Sequence, residues 1–118
     1  MEGGVYLNFM YPWPFYAASN RSLDDARYGD SARWAALNRD WYASGRAYRD
    51  LPAIDGEPNP VFTRWLQHPD YDAYWQAMIP QGDEFAGFDI PVLATTGYFD
   101  GGQIGALHYF REHLRHRP

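Results

Sequence analysis

The feature that most constrains the fold is a short apolar run that ends near a carboxylate. Residues 90–95 read Ile-Pro-Val-Leu-Ala-Thr, without polar alternation, which is typical of a strand covered on both faces in a parallel sheet flanked by helices. Gly97 allows a sharp turn, and Tyr98, Phe99 and Asp100 follow it. Asp100 would then lie just past the carboxyl end of the strand, at the edge of an open α/β sheet where ligands bind. The pattern predicts an α/β fold and makes Asp100 the leading candidate for a functional residue.

The residues after this turn have the spacing of an amphipathic helix. Ile104, Leu107, Phe110 and Leu114 recur at three- and four-residue intervals, so we expect one helix face to be buried against the sheet. One strand with its helix cannot complete a sheet, and the rest of the chain contains no clear second parallel strand. The pattern therefore predicts a fragment of a larger α/β protein.

The middle of the chain predicts short helices with aromatic faces. Trp34, Leu37 and Trp41 would share one face of a helix that ends at Gly45, where a left-handed conformation can stop it. Two further helical runs follow a connection rich in proline and glycine over residues 50–60. These runs predict a cluster of short helices ahead of the strand.

Charge and residue composition exclude several classes of function. The net charge is −5 and the arginines are interspersed with aspartates, so a nucleic-acid surface is not expected. Without cysteine there is no disulfide framework and no thiolate metal site. The spacing of His108, His113 and His116 does not place all three on one helix face, which argues against a histidine metal site.

The apolar N-terminal stretch lacks a basic leader and contains two prolines, so neither a signal peptide nor a membrane span is predicted, and the compartment stays unknown.

Two motifs carry a resemblance to a known family. Residues 65–75 read Trp-Leu-Gln-His-Pro-Asp-Tyr-Asp-Ala-Tyr-Trp, and residues 97–100 read Gly-Tyr-Phe-Asp. In this order they resemble the X-Pro dipeptidyl-peptidase and cocaine esterase family (CocE/NonD hydrolases), in which a helical cap is inserted into an α/β-hydrolase sheet. The resemblance implies three parts: a segment leading from the hydrolase core into the cap (1–30), the helical cap (31–87), and a core strand, acid turn and helix (88–118).

The resemblance also implies an activity. Members of this family hydrolyse ester or amide bonds of small acyl or dipeptidyl substrates through an acyl-enzyme and a Ser-Asp-His triad, without a cofactor. Asp100 matches the triad acid, which orients the histidine and stabilises its protonated form. The Gly-x-Ser-x-Gly nucleophile elbow is absent from the sequence, and the family's histidine is expected beyond residue 118. We therefore expect the chain to be inactive alone, and the exposed edges of a lone strand would favour self-association.

Other interpretations stay open for each candidate. Asp100 could simply turn the chain before a helix or cap that helix. Tyr98, Trp65 and Trp75 are weak candidates for substrate binding, because such aromatic residues more often belong to a core. The whole chain could be a non-catalytic aromatic module that binds a protein or a small ligand. The whole chain could also be a small intact enzyme that uses Asp100 with His108.

Overall fold

The computed structural model describes residues 8–18 and 21–116. These residues form seven α-helices and three short 3₁₀ helices. The α-helices are α1 (Trp13–Ala17), α2 (Asp25–Tyr28), α3 (Ser31–Ser44), α4 (Leu51–Asp55), α5 (Pro60–Leu66), α6 (Ala73–Gln76) and α7 (Gln103–His116), and the 3₁₀ helices span Asn8–Met10, Tyr48–Asp50 and Gly82–Gly87. They fall into two compact units, the first ending at Asp70 and the second beginning at Tyr71. None of the described helices is long and apolar enough to span a bilayer.

The helix predicted around Trp34 is confirmed, and its ends follow capping rules. The Asp30 carboxylate accepts a hydrogen bond from the backbone N–H of Arg33 at 3.0 Å, which satisfies one of the free donors of the first turn of α3. Gly45 ends the helix in the left-handed region, at φ 63°, where a side chain would be strained. Local sequence chemistry therefore sets both ends of α3.

Aromatic side chains make the core of the first unit. The Tyr11 ring meets Phe62 edge-on at a centroid distance of 5.0 Å and Phe15 at 5.7 Å. Leu37 from α3 and Leu51 from α4 complete the buried cluster. Edge-to-face ring pairs of this kind add to the gain from apolar burial. Four helices and the turn at Tyr11 are thus held around one aromatic centre.

The second unit is centred on Phe85, which is fully buried. The ring of Phe85 lies 5.6 Å from Tyr109 and 5.3 Å from His113, and it stacks on His116 at 6.5 Å. These three residues share one face of α7, because they are spaced by four and three positions. The 3₁₀ helix Gly82–Gly87 is thereby packed on α7.

The prediction of an α/β fold with a strand at residues 90–95 is wrong. The described residues contain no β-strand, and none of residues 90–96 forms a backbone hydrogen bond with another described residue. A strand is stabilised by a hydrogen-bonded ladder with its neighbours, and no second strand exists in the described part of the chain to supply it. Leu93 is consequently 89 % exposed, and the observed architecture is helical.

The predicted burial of the apolar face of α7 is also wrong. Ile104, Leu107, Phe110 and Leu114 all stand exposed to solvent. The helix buries the opposite, histidine-bearing face on Phe85 instead. The sheet that was expected to cover the apolar face is absent from the described residues, so that face has no counterpart there.

Candidate functional site

Asp100 lies in a tight, exposed turn directly before α7. Its backbone N–H donates to the Gly97 carbonyl at 3.1 Å, and its own carbonyl accepts from the Gln103 N–H at 3.0 Å. The Asp100 Oδ1 atom accepts a hydrogen bond from the Gly102 N–H at 2.8 Å. The turning role considered from the sequence is therefore present in the structure, while the catalytic role of Asp100 stays a prediction.

Two glycines let the chain fold closely around this aspartate. A Cβ atom on Gly97 would lie 3.3 Å from the Cβ of Asp100, and one on Gly102 would lie 3.3 Å from Asp100 Oδ1. Both distances are shorter than ordinary van der Waals contacts, so a side chain at either glycine position would displace the Asp100 side chain. Glycine at both positions therefore allows the backbone of the turn to pass close to the Asp100 side chain.

The outer side of the turn is open to solvent. Asp100 Oδ2 accepts no hydrogen bond from the described residues, so one carboxylate oxygen is fixed and the other is available. Tyr98 and Phe99 are 83 % and 96 % exposed, and their rings meet each other edge-on at 5.0 Å. Tyr98 is thus adjacent to the candidate acid without being enclosed in a pocket wall.

The two tryptophan candidates belong to different units. Trp65 is half-buried on α5 in the first unit, and Trp75 is half-buried on α6 in the second. The Trp75 ring packs edge-on against Tyr74 at 5.0 Å. A role in substrate binding stays a prediction for both.

The histidines of α7 pack around Phe85. The His108 ring lies 6.3 Å from Phe85 and the His113 ring lies 5.3 Å from it. His116 has a carboxylate near each ring nitrogen, with Asp83 Oδ1 at 3.4 Å and Glu112 Oε2 at 3.6 Å. Within the described ranges, no group of three or more side chains is arranged to hold a metal ion. The geometry gives these histidines a packing role.

An ionic cluster in the first unit was not anticipated from the sequence. Arg33 donates to both oxygens of Asp55, at 2.6 and 3.3 Å, and to Glu57 at 2.7 Å. The Tyr11 hydroxyl donates to Asp55 at 2.8 Å, and Arg27 forms an ion pair with Glu57. Residues up to 44 positions apart meet here, and no periodic pattern marks such a contact. Only the excess of arginine and aspartate gives any sequence signal for it.

Burial and the neighbouring Asp55 carboxylate raise the pKa of Tyr11 well above its ordinary value, because both disfavour a phenolate. The guanidinium of Arg27 also lies over the Phe15 ring at 4.2 Å, and that of Arg33 lies over Trp34 at 4.6 Å. Two cations thus face two carboxylates and two aromatic rings. With its charges balanced, this cluster acts as a structural tie.

Comparison with known proteins supplies the family. The sequence pattern of the X-Pro dipeptidyl-peptidase (S15) family matches residues 1–117, almost the entire chain. The protein therefore belongs to this family of hydrolases, as the cap and acid-turn motifs predicted. No curated protein and no solved structure matches the chain.

Proposed function

We propose that this chain supplies the catalytic acid, Asp100, and the helical cap of a serine hydrolase that cleaves ester or amide bonds. Membership of the X-Pro dipeptidyl-peptidase family supports a hydrolase origin. The observation that carries the proposal is the Asp100 carboxylate, with Oδ1 fixed by the Gly102 N–H and Oδ2 left open. A triad acid needs this combination of a defined orientation and a free acceptor.

In the proposed reaction, Asp100 Oδ2 accepts the N–H of a histidine and so holds the imidazole in the correct tautomer. The other imidazole nitrogen takes the proton of a serine hydroxyl, whose oxygen attacks the substrate carbonyl. The proton then passes to the leaving alcohol or amine, and water hydrolyses the acyl-enzyme. Short-chain acyl esters and dipeptidyl amides are the substrate classes we propose.

The serine and the histidine are proposed to come from a polypeptide segment outside these 118 residues. No serine of the chain lies in a Gly-x-Ser-x-Gly elbow. Ser44, for example, lies at the end of α3, where its hydroxyl donates to the Trp41 carbonyl at 2.7 Å. His108 and His113, close to Asp100 in sequence, pack on Phe85.

The distribution of apolar side chains favours this proposal over a self-contained binding module. In the second unit, the large apolar side chains of Leu93, Ile104, Phe110 and Leu114 are exposed to solvent, as expected for a piece of a larger protein whose other parts would cover them. In the first unit the aromatic residues form the core instead of a ligand platform. Without a further protein surface to cover its apolar residues, we expect the chain to self-associate.

Reconstitution tests the proposal. The chain is co-produced with the polypeptides encoded on either side of it in its genome, and hydrolysis of a short-chain p-nitrophenyl ester and of a Gly-Pro chromogenic amide is measured. Asp100→Asn should lower the rate by about 10³- to 10⁴-fold, as loss of a triad acid does. Asp89→Asn, a control at another exposed aspartate of the same unit, should leave the rate unchanged. Equal rates for the two variants would refute the acid role.

A further inference from the structure

The side chain of Gln103 closes the Asp100 turn from the helix side. Gln103 is the first residue of α7. Its Nε2 atom donates to the Tyr98 carbonyl at 3.0 Å and approaches the Gly97 carbonyl at 3.4 Å. Its backbone N–H donates to the Asp100 carbonyl at 3.0 Å. One residue thus reaches the turn at three carbonyl groups, and it is half-buried while residues 97–102 are exposed.

We propose that Gln103 is a positioning residue for the Asp100 carboxylate. The proposal deepens, and rests on, the proposed role of Asp100 as a triad acid. A primary amide fits this position because Nε2 carries two N–H groups, one for each carbonyl. Glutamate has nearly the same shape but offers no donor when it is ionised. The requirement is therefore for hydrogen-bond donors as well as for size.

The link to Asp100 runs through the backbone of the turn. The Gly97 carbonyl, which Gln103 approaches, also accepts the Asp100 N–H at 3.1 Å. Holding that carbonyl keeps the two ends of the turn together, and the Gly102 N–H stays 2.8 Å from Asp100 Oδ1. If the turn opened, the carboxylate would lose this fixed orientation, and misplacement of a catalytic group by about 1 Å can cost roughly a hundredfold in rate.

Amide hydrogen exchange, measured by NMR on the full chain, tests the hold on the turn. Gln103→Glu should increase exchange at the Asp100 and Gly102 amides by about 5- to 10-fold, as expected for loss of a hydrogen bond. The helix itself should be retained, because a carboxylate at a helix N-terminus is favourable. Gln103→Lys, which restores a donor, should bring exchange back toward the wild-type rate.

A matched control exists in the same unit. Gln76 Nε2 donates to the Tyr71 carbonyl at 3.0 Å, so Gln76→Glu removes the same kind of hydrogen bond away from the turn. This variant should leave exchange at Asp100 and Gly102 unchanged. Equal exchange in the wild type and Gln103→Glu would overturn the proposal, and so would a similar increase in Gln76→Glu.

The reconstituted hydrolase separates positioning from general stability. Gln103→Glu should slow labelling by a serine-directed fluorophosphonate about tenfold when Asp100 is present, and should cause no further loss in the Asp100→Asn background. If the double variant were labelled about tenfold more slowly than Asp100→Asn alone, the two residues would act independently and the proposal would be overturned. Should Asp100→Asn retain full labelling, the acid role itself would be wrong, and the amide exchange would still decide whether Gln103 holds the turn.

Discussion

At the level of single residues, the contacts of the Asp55 carboxylate tie distant parts of the first unit together. The Asp55 side chain is only 6 % exposed and receives two donors from Arg33 and one from Tyr11. Removing a partner of a carboxylate this deeply buried is costly, because the carboxylate oxygens then lose their hydrogen-bond donors. These contacts should therefore contribute more to stability than the exposed ion pair between Arg46 and Asp50.

Removing Arg33 should destabilise the chain markedly. Arg33→Met keeps an apolar stem but leaves Asp55 and Glu57 without this cation, and we expect the free energy of unfolding to fall by about 2–4 kcal/mol. Arg46→Met is the matched control, because the Arg46–Asp50 pair is 3.6 Å long and largely exposed; it should cost less than about 1 kcal/mol. Urea unfolding measures the free energy of unfolding of both variants. Equal losses would contradict the structural role of the ionic cluster around Asp55.

The hydroxyl of Tyr11 should make stability depend on pH in the alkaline range. Burial and the Asp55 carboxylate raise the pKa of Tyr11 in the folded state, while a tyrosine in the unfolded chain has a pKa of about 10. Below that pH the Tyr11 hydroxyl keeps its proton in both the folded and the unfolded state, so its contribution to the free energy of unfolding is fully present. Above it the unfolded state loses the proton first, so the free energy of unfolding falls by about 1.4 kcal/mol per pH unit.

Comparison with Tyr11→Phe isolates this effect. Near neutral pH the variant should be less stable by about 1 kcal/mol, because one hydrogen bond to Asp55 is lost. The deficit should shrink as the pH rises above about 10, since phenylalanine has no proton to lose. Urea unfolding at a series of pH values measures it, and a deficit that stays constant or widens would be inconsistent with the raised pKa.

Among the elements, capping residues and periodicity predicted α3, α5, α6 and α7. The helix α4 forms inside the predicted connection 50–60, and the predicted strand was wrong. Asp30 and Gly45 mark the ends of α3 through local chemistry that the sequence displays. The run 90–95 has strand composition, but a strand also needs partners in register, which are a property of distant sequence. The helix α7 was predicted correctly, whereas the face it buries depends on Phe85, whose role no local pattern indicates.

Phe85 should account for most of the packing of the second unit. Phe85→Ala removes a fully buried ring that contacts Tyr109, His113 and His116, and we expect a loss of about 3–5 kcal/mol. Phe99→Ala, at a side chain that is 96 % exposed, should change stability by less than about 0.5 kcal/mol. Hydrogen exchange of the α7 amides distinguishes the two, and protection that survives in Phe85→Ala would rule out this packing role.

At the scale of the whole molecule, the sequence motifs identified the family while the fold class was wrong. Residues 65–75 and 97–100 carry the resemblance, and the family match spans residues 1–117. A sheet, in contrast, requires several strands that pair with one another. The described residues offer only one strand-like run, and it forms no strand. The same reasoning applies to the site. Asp100 and its turn are local and are present in the structure, whereas a triad assembles from distant segments.

We propose that Asp100 is a catalytic acid in a chain that lacks the Gly-x-Ser-x-Gly nucleophile. The most direct test is to treat the purified wild-type chain with a serine-directed fluorophosphonate and to compare it with Asp100→Asn. We expect no labelling of either protein above that of a heat-denatured sample. Labelling of a serine in the wild-type chain that disappears in Asp100→Asn would refute this proposal, because it would show a complete active site within these 118 residues.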